Sequence, residues 1–222
     1  MNRIIIFFNT IPHVLLTEIS VTIPTTVLLY VIVVTISVWL IHKNCLSRKL
    51  VLASSLLCLI FLIQEKWNLF RQRKIIVYNI PHHRSIDFIK RDEYFFVGDD
   101  SLNQVGPIQT YTIAPARLQF HLFKHFNLAG EKGLYFFEHK KILLIDSTIH
   151  FKSLMQMDVD LIILSKNPKI LIAELTSFIK CNHFVFDASN NLWKIAIWEK
   201  ECKRLNLHSH SCPKDGAFII NL

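Results

Sequence analysis

The stretch VDLIILSKNPKILIAELTSFIKCNHFVFDASNNLWKIAIWEKECKRLNLHSHS, Val159 to Ser211, alternates between two kinds of hydrophobic pattern. Val159–Ser165 is almost uninterrupted apolar sequence, the pattern of a strand buried on both faces. Asn167 and Pro168 then supply an N-cap and a first-turn residue, and Ile170, Leu171, Glu174, Leu175, Phe178 and Ile179 follow at helical spacing. HFVFD (His183–Asp187) reads as the next strand, and Ser189-Asn190-Asn191 as a capping cluster. Leu192, Ile195, Trp198, Cys202 and Leu205 mark an amphipathic helix after it, with Glu199 and Lys203 at favourable i,i+4 spacing. Strands around Leu207–Ser211 and Ala217–Leu222 close the chain. This β-α-β-α-β order predicts a layered α/β domain.

Upstream of this stretch the pattern is strand after strand. GLYFFE (Gly133–Glu138) and KILLID (Lys141–Asp146) flank a polar His139-Lys140 pair suited to a hairpin turn. IIVYNI (Ile75–Ile80), Ser85–Ile89 and EYFFVGD (Glu93–Asp99) are bounded by Pro81-His82-His83 and Gly98-Asp99-Asp100, which are turn signals.

The first 64 residues are of another kind. They hold four basic residues (Arg3, Lys43, Arg48, Lys49) and one acid (Glu18), out of totals of 25 and 17 for the whole chain of 222. Between Glu18 and Lys43 there is no charge, and Thr25–Ile41 is apolar apart from small hydroxyls. At ~1.5 Å per residue such a run crosses a hydrocarbon core of ~30 Å. A second run, Leu50–Gln64, rises only ~22 Å and needs Arg48 and Lys49 to snorkel, with Trp67 placed as an interfacial aromatic. The start, broken by Pro12 and carrying Asn9 and His13, suits an interfacial helix and lacks the marks of a cleaved signal peptide.

The expected organisation is therefore a membrane region at 1–64, with an interfacial helix at about 1–18 and transmembrane helices at about 24–41 and 49–64. A linker at 65–73 and a soluble domain at 74–222 follow. Basic residues flank both spans, so charge alone leaves the orientation open. With Pro and Gly together at 12 residues and 51% hydrophobic content, disordered, collagen-like and coiled-coil chains are excluded. Cys181, Cys202 and Cys212 are an odd number in the soluble part and have no metal spacing.

In an α/β fold the loops at the carboxyl ends of strands are where chemistry is placed, here Ser165–Lys169 and Asp187–Asn190. Neither contains a histidine, and lysines repel a metal ion. The histidines lie elsewhere, as His82-His83, His183 and the His208/His210 pair that shares one face of a strand. There is no H-x-H-x-D-H, G-x-S-x-G or Walker sequence around Asp87, Asp146, Asp187 or Asp215. Arg71, Arg73, Lys74 and Arg84 are candidates for contact with the phosphates of DNA or of lipid.

Several of these segments carry a family resemblance: IIVYNIPHHRSIDFI (Ile75–Ile89), YFFVGDD (Tyr94–Asp100), Pro115-Ala116-Arg117, VDLIILSKNPK (Val159–Lys169) and, above all, FVFDASNNLWKIAIWEKECKRLNLHSHSCPKDGAFIINL (Phe184–Leu222). The chain resembles the C-terminal end of the ComEC-family competence proteins, inner-membrane DNA-uptake channels, in the form typical of Bacteroidetes. The resemblance implies an α/β fold with two N-terminal transmembrane helices followed by a metallo-β-lactamase-like α/β/β/α sandwich on the extracytoplasmic side. In it, Ile142–Asp146 corresponds to the strand that ends in the family's acidic residue, and Leu161–Pro168 to the strand that leads into its histidine motif.

Nuclease-competent relatives read like S-H-x-D-x-D-H at that loop, where this chain reads Ser165-Lys166-Asn167-Pro168-Lys169. A second region similar to H-H-G-S is here Asp187-Ala188-Ser189. The resemblance thus implies a degenerate site at Asp146, Lys166, Asn167 and Asp187, with no catalytic residue, metal or cofactor. It also implies single-stranded DNA, the bilayer and a channel-forming membrane domain, in the same or a separate chain, as partners. The chain is expected to be a fragment or split reading frame of such a protein. The alternative is a metal-dependent phosphodiesterase whose ligands are drawn from His82, His83, His208, His210 and Asp187.

Overall fold

The computed structural model describes residues 22–102, 106–128, 130–131, 133–146 and 157–222. The interfacial helix expected at about 1–18 lies outside them. The chain divides into two compact units, one ending at Phe70 and including Leu118–His121, the other formed by Arg71–Arg117 and Leu122–Leu222.

The first unit holds two helices, α1 (Ile23–His42) and α2 (Cys45–Arg71), joined where Lys43 takes a left-handed conformation and its N–H returns to the Trp39 carbonyl. Both are long and apolar enough to cross a membrane. Some of their polar side chains pair across the two helices. Thr35 Oγ1 lies 3.1 Å from Ser54 Oγ, and the hydroxyls of Thr22 and Thr25 donate to Glu65. Exposed leucines, isoleucines and valines run along both helices. Residues 65–71, expected to be linker, continue α2. They bear helix-forming side chains with no Gly or Pro to stop them.

The second unit is built from two sheets. After α2 come β1 (Arg73–Val77), β2 (Ser85–Lys90) and β3 (Glu93–Gly98), a π-helical turn (Gln109–Ile113) that runs into α3 (Ala114–Gln119), and β4 (Lys124–His125). Next are β5 (Gly130–Glu131), β6 (Leu134–Phe137), β7 (Lys140–Ile145), β8 (Met157–Asp158) and β9 (Leu161–Leu164). The chain ends with α4 (Ile172–Phe178), β10 (Ile179–Lys180), β11 (His183–Phe186), α5 (Leu192–Arg204), β12 (His208–Ser211), α6 (Cys212–Asp215) and β13 (Phe218–Asn221).

One sheet runs β13-β1-β2-β3-β4, the other β12-β11-β9-β7-β6-β5, and β8 and β10 form a separate short pair. In the second sheet β7, β9, β11 and β12 are parallel, as the β-α-β-α-β reading requires, whereas β6 and β7 make an antiparallel hairpin.

The alternation of side chains sorts the core into two layers. Ile142, Leu144, Leu161, Ile163 and Val185 from one sheet pack with Ile75, Val77, Ile86, Phe88 and Val97 from the other. Leu143, Ile145, Ile162, Leu164, Phe184 and Phe186, on the opposite face, pack with Ile172 and Leu175 of α4 and with Ile195, Trp198 and Cys202 of α5. Cys202 is fully buried, and burial pushes its thiol up to about 12, so it behaves as a core side chain.

The helix predicted from Asn167-Pro168 begins later, at Ile172. Lys166 and Asn167 both take left-handed backbone conformations, which no helix N-terminus tolerates. Asn167 caps a different helix: its Oδ1 accepts the N–H of Asn191, the N-cap of α5, at 2.7 Å, while the Ile172 N–H donates to Glu201 at 2.6 Å. Glu199, expected to pair with Lys203, instead pairs with Lys214.

The outer face of the first sheet holds a second polar constraint. Asp87, fully buried in β2, accepts both Arg117 Nε at 3.0 Å and Arg117 Nη2 at 2.9 Å, and Tyr78 Oη donates to it at 2.8 Å. The guanidinium lies 3.9 Å from the Tyr94 ring centroid. Burial alone would lower the Arg117 pKa, but the Asp87 charge raises it. Removing one partner of such a pair leaves the other charged and desolvated, so Asp87→Ala is expected to cost about 3–5 kcal/mol. The measurement is the denaturant midpoint of the purified chain.

Candidate functional site

Asp146, Ser165 and Asp187 each follow the last residue of one parallel strand, β7, β9 and β11. The register Leu144↔Ile163 and Ile163↔Val185 carries two residues further to these positions and places them in a row. Alternation turns all three toward the first sheet, with neighbours ~4.8 Å apart. From that sheet come Arg84 and Asp99, one residue beyond the Ser85↔Gly98 pair and joined by the Asp99 N–H to the Arg84 carbonyl. Gly98 is required there, because a Cβ would stand 2.8 Å from that carbonyl.

Charges meet in pairs in this crevice. Arg84 Nη1 lies 3.0 Å from Asp146 Oδ2, with both side chains 16% exposed. Lys166 Nζ lies 2.8 Å from Asp99 Oδ1, and the other Asp99 oxygen accepts the Arg84 N–H and pairs with His83 Nδ1, each at 3.2 Å. Burial alone would raise the Asp99 pKa; Lys166, the Arg84 N–H and His83 outweigh it and hold the carboxyl below its ordinary value.

Asp187 has no such cation against it. Its Oδ1 accepts the Ser189 N–H, the Ser189 hydroxyl and Asn190 Nδ2, while Oδ2 is buried without a hydrogen-bond partner. Burial pushes this carboxyl up to about 6, against the opposing pull of Ser165, Ser189 and Arg84. Ser189 also accepts the Lys166 N–H at 2.7 Å, and Asn190 Oδ1 the Asn167 N–H at 2.8 Å. The two strand-end loops are thereby tied together, and the left-handed pair Lys166-Asn167 is held in place.

The structure therefore brings together Asp146, Lys166, Asn167, Asp187 and Arg84 from the sequence-derived candidates. It adds Asp99, Ser165, Ser189 and Asn190. Asp99 was visible in the sequence only as part of a Gly-Asp-Asp turn.

The remaining basic candidates lie elsewhere. Arg71 ends α2, Arg73 Nε pairs with Glu138 at 3.1 Å beside Lys90, and Lys74 sits in β1 with its pKa lowered by burial.

The histidines of the alternative reading do not converge on one point. His83 lies in the crevice against Asp99. His82 is an exposed left-handed turn residue that donates its N–H to the Ala188 carbonyl. His208 stacks on His183 at 5.0 Å at the start of β12, and His210 Nε2 donates to the Gly216 carbonyl at 3.0 Å. Asp187, past the far end of the neighbouring parallel strand, is ~13 Å along the sheet from the His183/His208 pair.

The crevice does not fit a metal ion either. An ammonium and a guanidinium have no lone pair to offer and repel a dication, and they already neutralise Asp99 and Asp146. Among the described residues no group of three or more His, Cys, Asp or Glu side chains is placed to hold one.

The sequence model of the ComEC C-terminal domain matches residues 75–222, the whole of the two-sheet unit from within β1 onward. The chain belongs to the ComEC family. No curated protein and no solved structure matches it. ComEC membership gives the chain a competence and DNA-uptake context at the inner membrane, and α1 and α2 are the helices long and apolar enough to lie in it. Within this ComEC domain the crevice lies between the two sheets at the carboxyl ends of the parallel strands.

The raised Asp187 pKa fixes the sign of a pH effect. With an unfolded value of ~3.9, the native state binds the extra proton between about pH 4 and 6, so stability falls as pH rises through that window, by roughly 3 kcal/mol in total. Asp187→Asn keeps an oxygen for the three donors and is expected to remove this contribution. The variant should gain on the wild type from pH 4 to pH 7 in denaturant unfolding, with the difference flat above that.

Proposed function

We propose that this chain is the C-terminal part of a ComEC-type DNA-uptake protein, anchored by α1 and α2. In this reading its soluble domain is a metallo-β-lactamase-like sandwich that no longer performs metal chemistry. The domain stands on the extracytoplasmic side, where it supports the channel-forming domain or guides single-stranded DNA toward it. The observation that carries this reading is the pairing of Lys166 with Asp99 and of Arg84 with Asp146 in the crevice. On the metallo-β-lactamase-like reading, these two cations occupy the place of metal ligands, and the loop after β9 offers Lys166 and Asn167 in place of histidine and aspartate.

Contact with nucleic-acid phosphate is assigned to the basic residues around the α2–β1 joint, Arg71, Arg73 and Lys74. Arg84 is left out because it is the more buried of the two paired arginines, 16% exposed against Asp146 where Arg73 is 34% exposed against Glu138. Such contacts are independent of sequence and sensitive to salt. For three phosphates on a single strand, affinity is expected to fall ~20-fold between about 50 and 200 mM salt.

The test is metal content, nuclease activity and DNA binding of the purified chain with Mn²⁺ or Zn²⁺ offered. We expect no stoichiometric metal, no cleavage, and binding that weakens with salt to oligonucleotides of any sequence. Bound metal with chelator-sensitive cleavage would establish the phosphodiesterase reading instead. Absence of DNA affinity at low salt would leave scaffolding alone.

A further inference from the structure

Helix α5 buries Ile195, Trp198 and Cys202 against the second sheet, as its amphipathic pattern requires. Its outward face is not the polar surface that usually completes such a helix. Trp193 is 64% exposed, Leu192 beside it 59%, and Ile197 44%. Trp193, Ile197, Lys200 and Arg204 follow one another at i, i+4, i+7 and i+11, a single stripe along the helix, with Lys203 exposed at its edge. The stripe is apolar at its first end and cationic at its last.

Both acids of the helix are turned away from the stripe. Glu199 pairs with Lys214, and Glu201 accepts the Ile172 N–H. Lys194 also leaves it, donating from Nζ to the Asn167 carbonyl. Among the described residues neither carboxylate of α5 forms an ion pair with Lys200, Lys203 or Arg204.

We propose that this ridge docks on the surface of an anionic bilayer. In this arrangement Leu192, Trp193 and Ile197 enter the headgroup region and Lys200, Lys203 and Arg204 meet lipid phosphates. Charge complementarity selects an anionic surface, and the shape of the ridge argues in the same direction. A helix docked on a sheet presents a convex ridge, which fits a plane, whereas single-stranded nucleic acid is held in a basic groove with several aromatic platforms. The connection also favours it. Only Gln72 separates α2 from β1, so on the proposed anchoring by α1 and α2 even a weak patch sees a high local concentration of lipid.

The test uses the whole chain in lipid nanodiscs, with Trp39 and Trp67 replaced by Phe so that Trp193 and the buried Trp198 are the remaining indoles. In discs of brominated phosphatidylcholine and phosphatidylglycerol, Trp193 emission is expected to be quenched about twofold relative to unbrominated discs, as for an indole within 5–10 Å of the acyl boundary. Trp193→Phe should abolish the quenching. The exposed pair Lys200→Glu and Arg204→Glu should lower the docked-to-undocked ratio by about tenfold or more, as should leaving out phosphatidylglycerol. Emission unchanged by brominated lipid would overturn the proposal. Emission unchanged by lipid but quenched by an oligonucleotide would overturn it in favour of a nucleic-acid face.

Discussion

Parallel strands that end side by side in the crevice between two sheets deliver whatever follows them to one place. In this protein that is a row of Asp146, Ser165 and Asp187, faced by Asp99 from the other sheet. Three carboxyls at the edge of an apolar core cannot all be ionised without counter-charge. Arg84 and Lys166 neutralise two of them within about 3 Å, and the third, Asp187, is held by neutral donors and titrates late. This arrangement closes the open end of the inter-sheet core with side chains of the chain itself.

The local backbone follows from that closure. Lys166 reaches Asp99 from a left-handed turn, and Asn167, left-handed as well, joins the start of α5 to the end of β9. Ser189 and Asn190 secure the same turn from the neighbouring loop. A sequence that gives an N-cap signal at Asn167 is thus folded into a loop clasp, and α4 starts a turn later with its first N–H on Glu201. A second closed network, Asp87 with Arg117 and Tyr78, fixes the opposite face of the first sheet and contributes nothing to the crevice.

The apolar surfaces divide in the same physical terms. With their exposed leucines and valines, α1 and α2 are long and apolar enough to cross a membrane, and the exposed end of α5 is a smaller apolar surface flanked by cations. An excess of basic residues in the two-sheet unit suits either nucleic acid or lipid as a partner. Which residues remain outward once the pairs have formed is what separates the two.

The sequence by itself determined two helices long and apolar enough to cross a membrane and the β-α-β-α-β order of the parallel core, because each rests on spacing within a few residues. Apolar runs of sufficient length, the two-faced burial of Leu161–Leu164 and the helical stripe Ile195, Trp198, Cys202 are local patterns. It also exposed the cation Lys166 in the loop that follows β9, since residue chemistry is local too. What only the tertiary structure decided is which residues meet. Asp99 and Lys166 follow strands of different sheets, Arg84 and Asp146 are separated by most of the first half of the domain, and of the histidines His83 joins Asp99 in the crevice while His208 stacks on His183 at the start of β12. Pairing across sheets depends on register and on the facing of two layers, and no periodicity in one segment encodes the position of another.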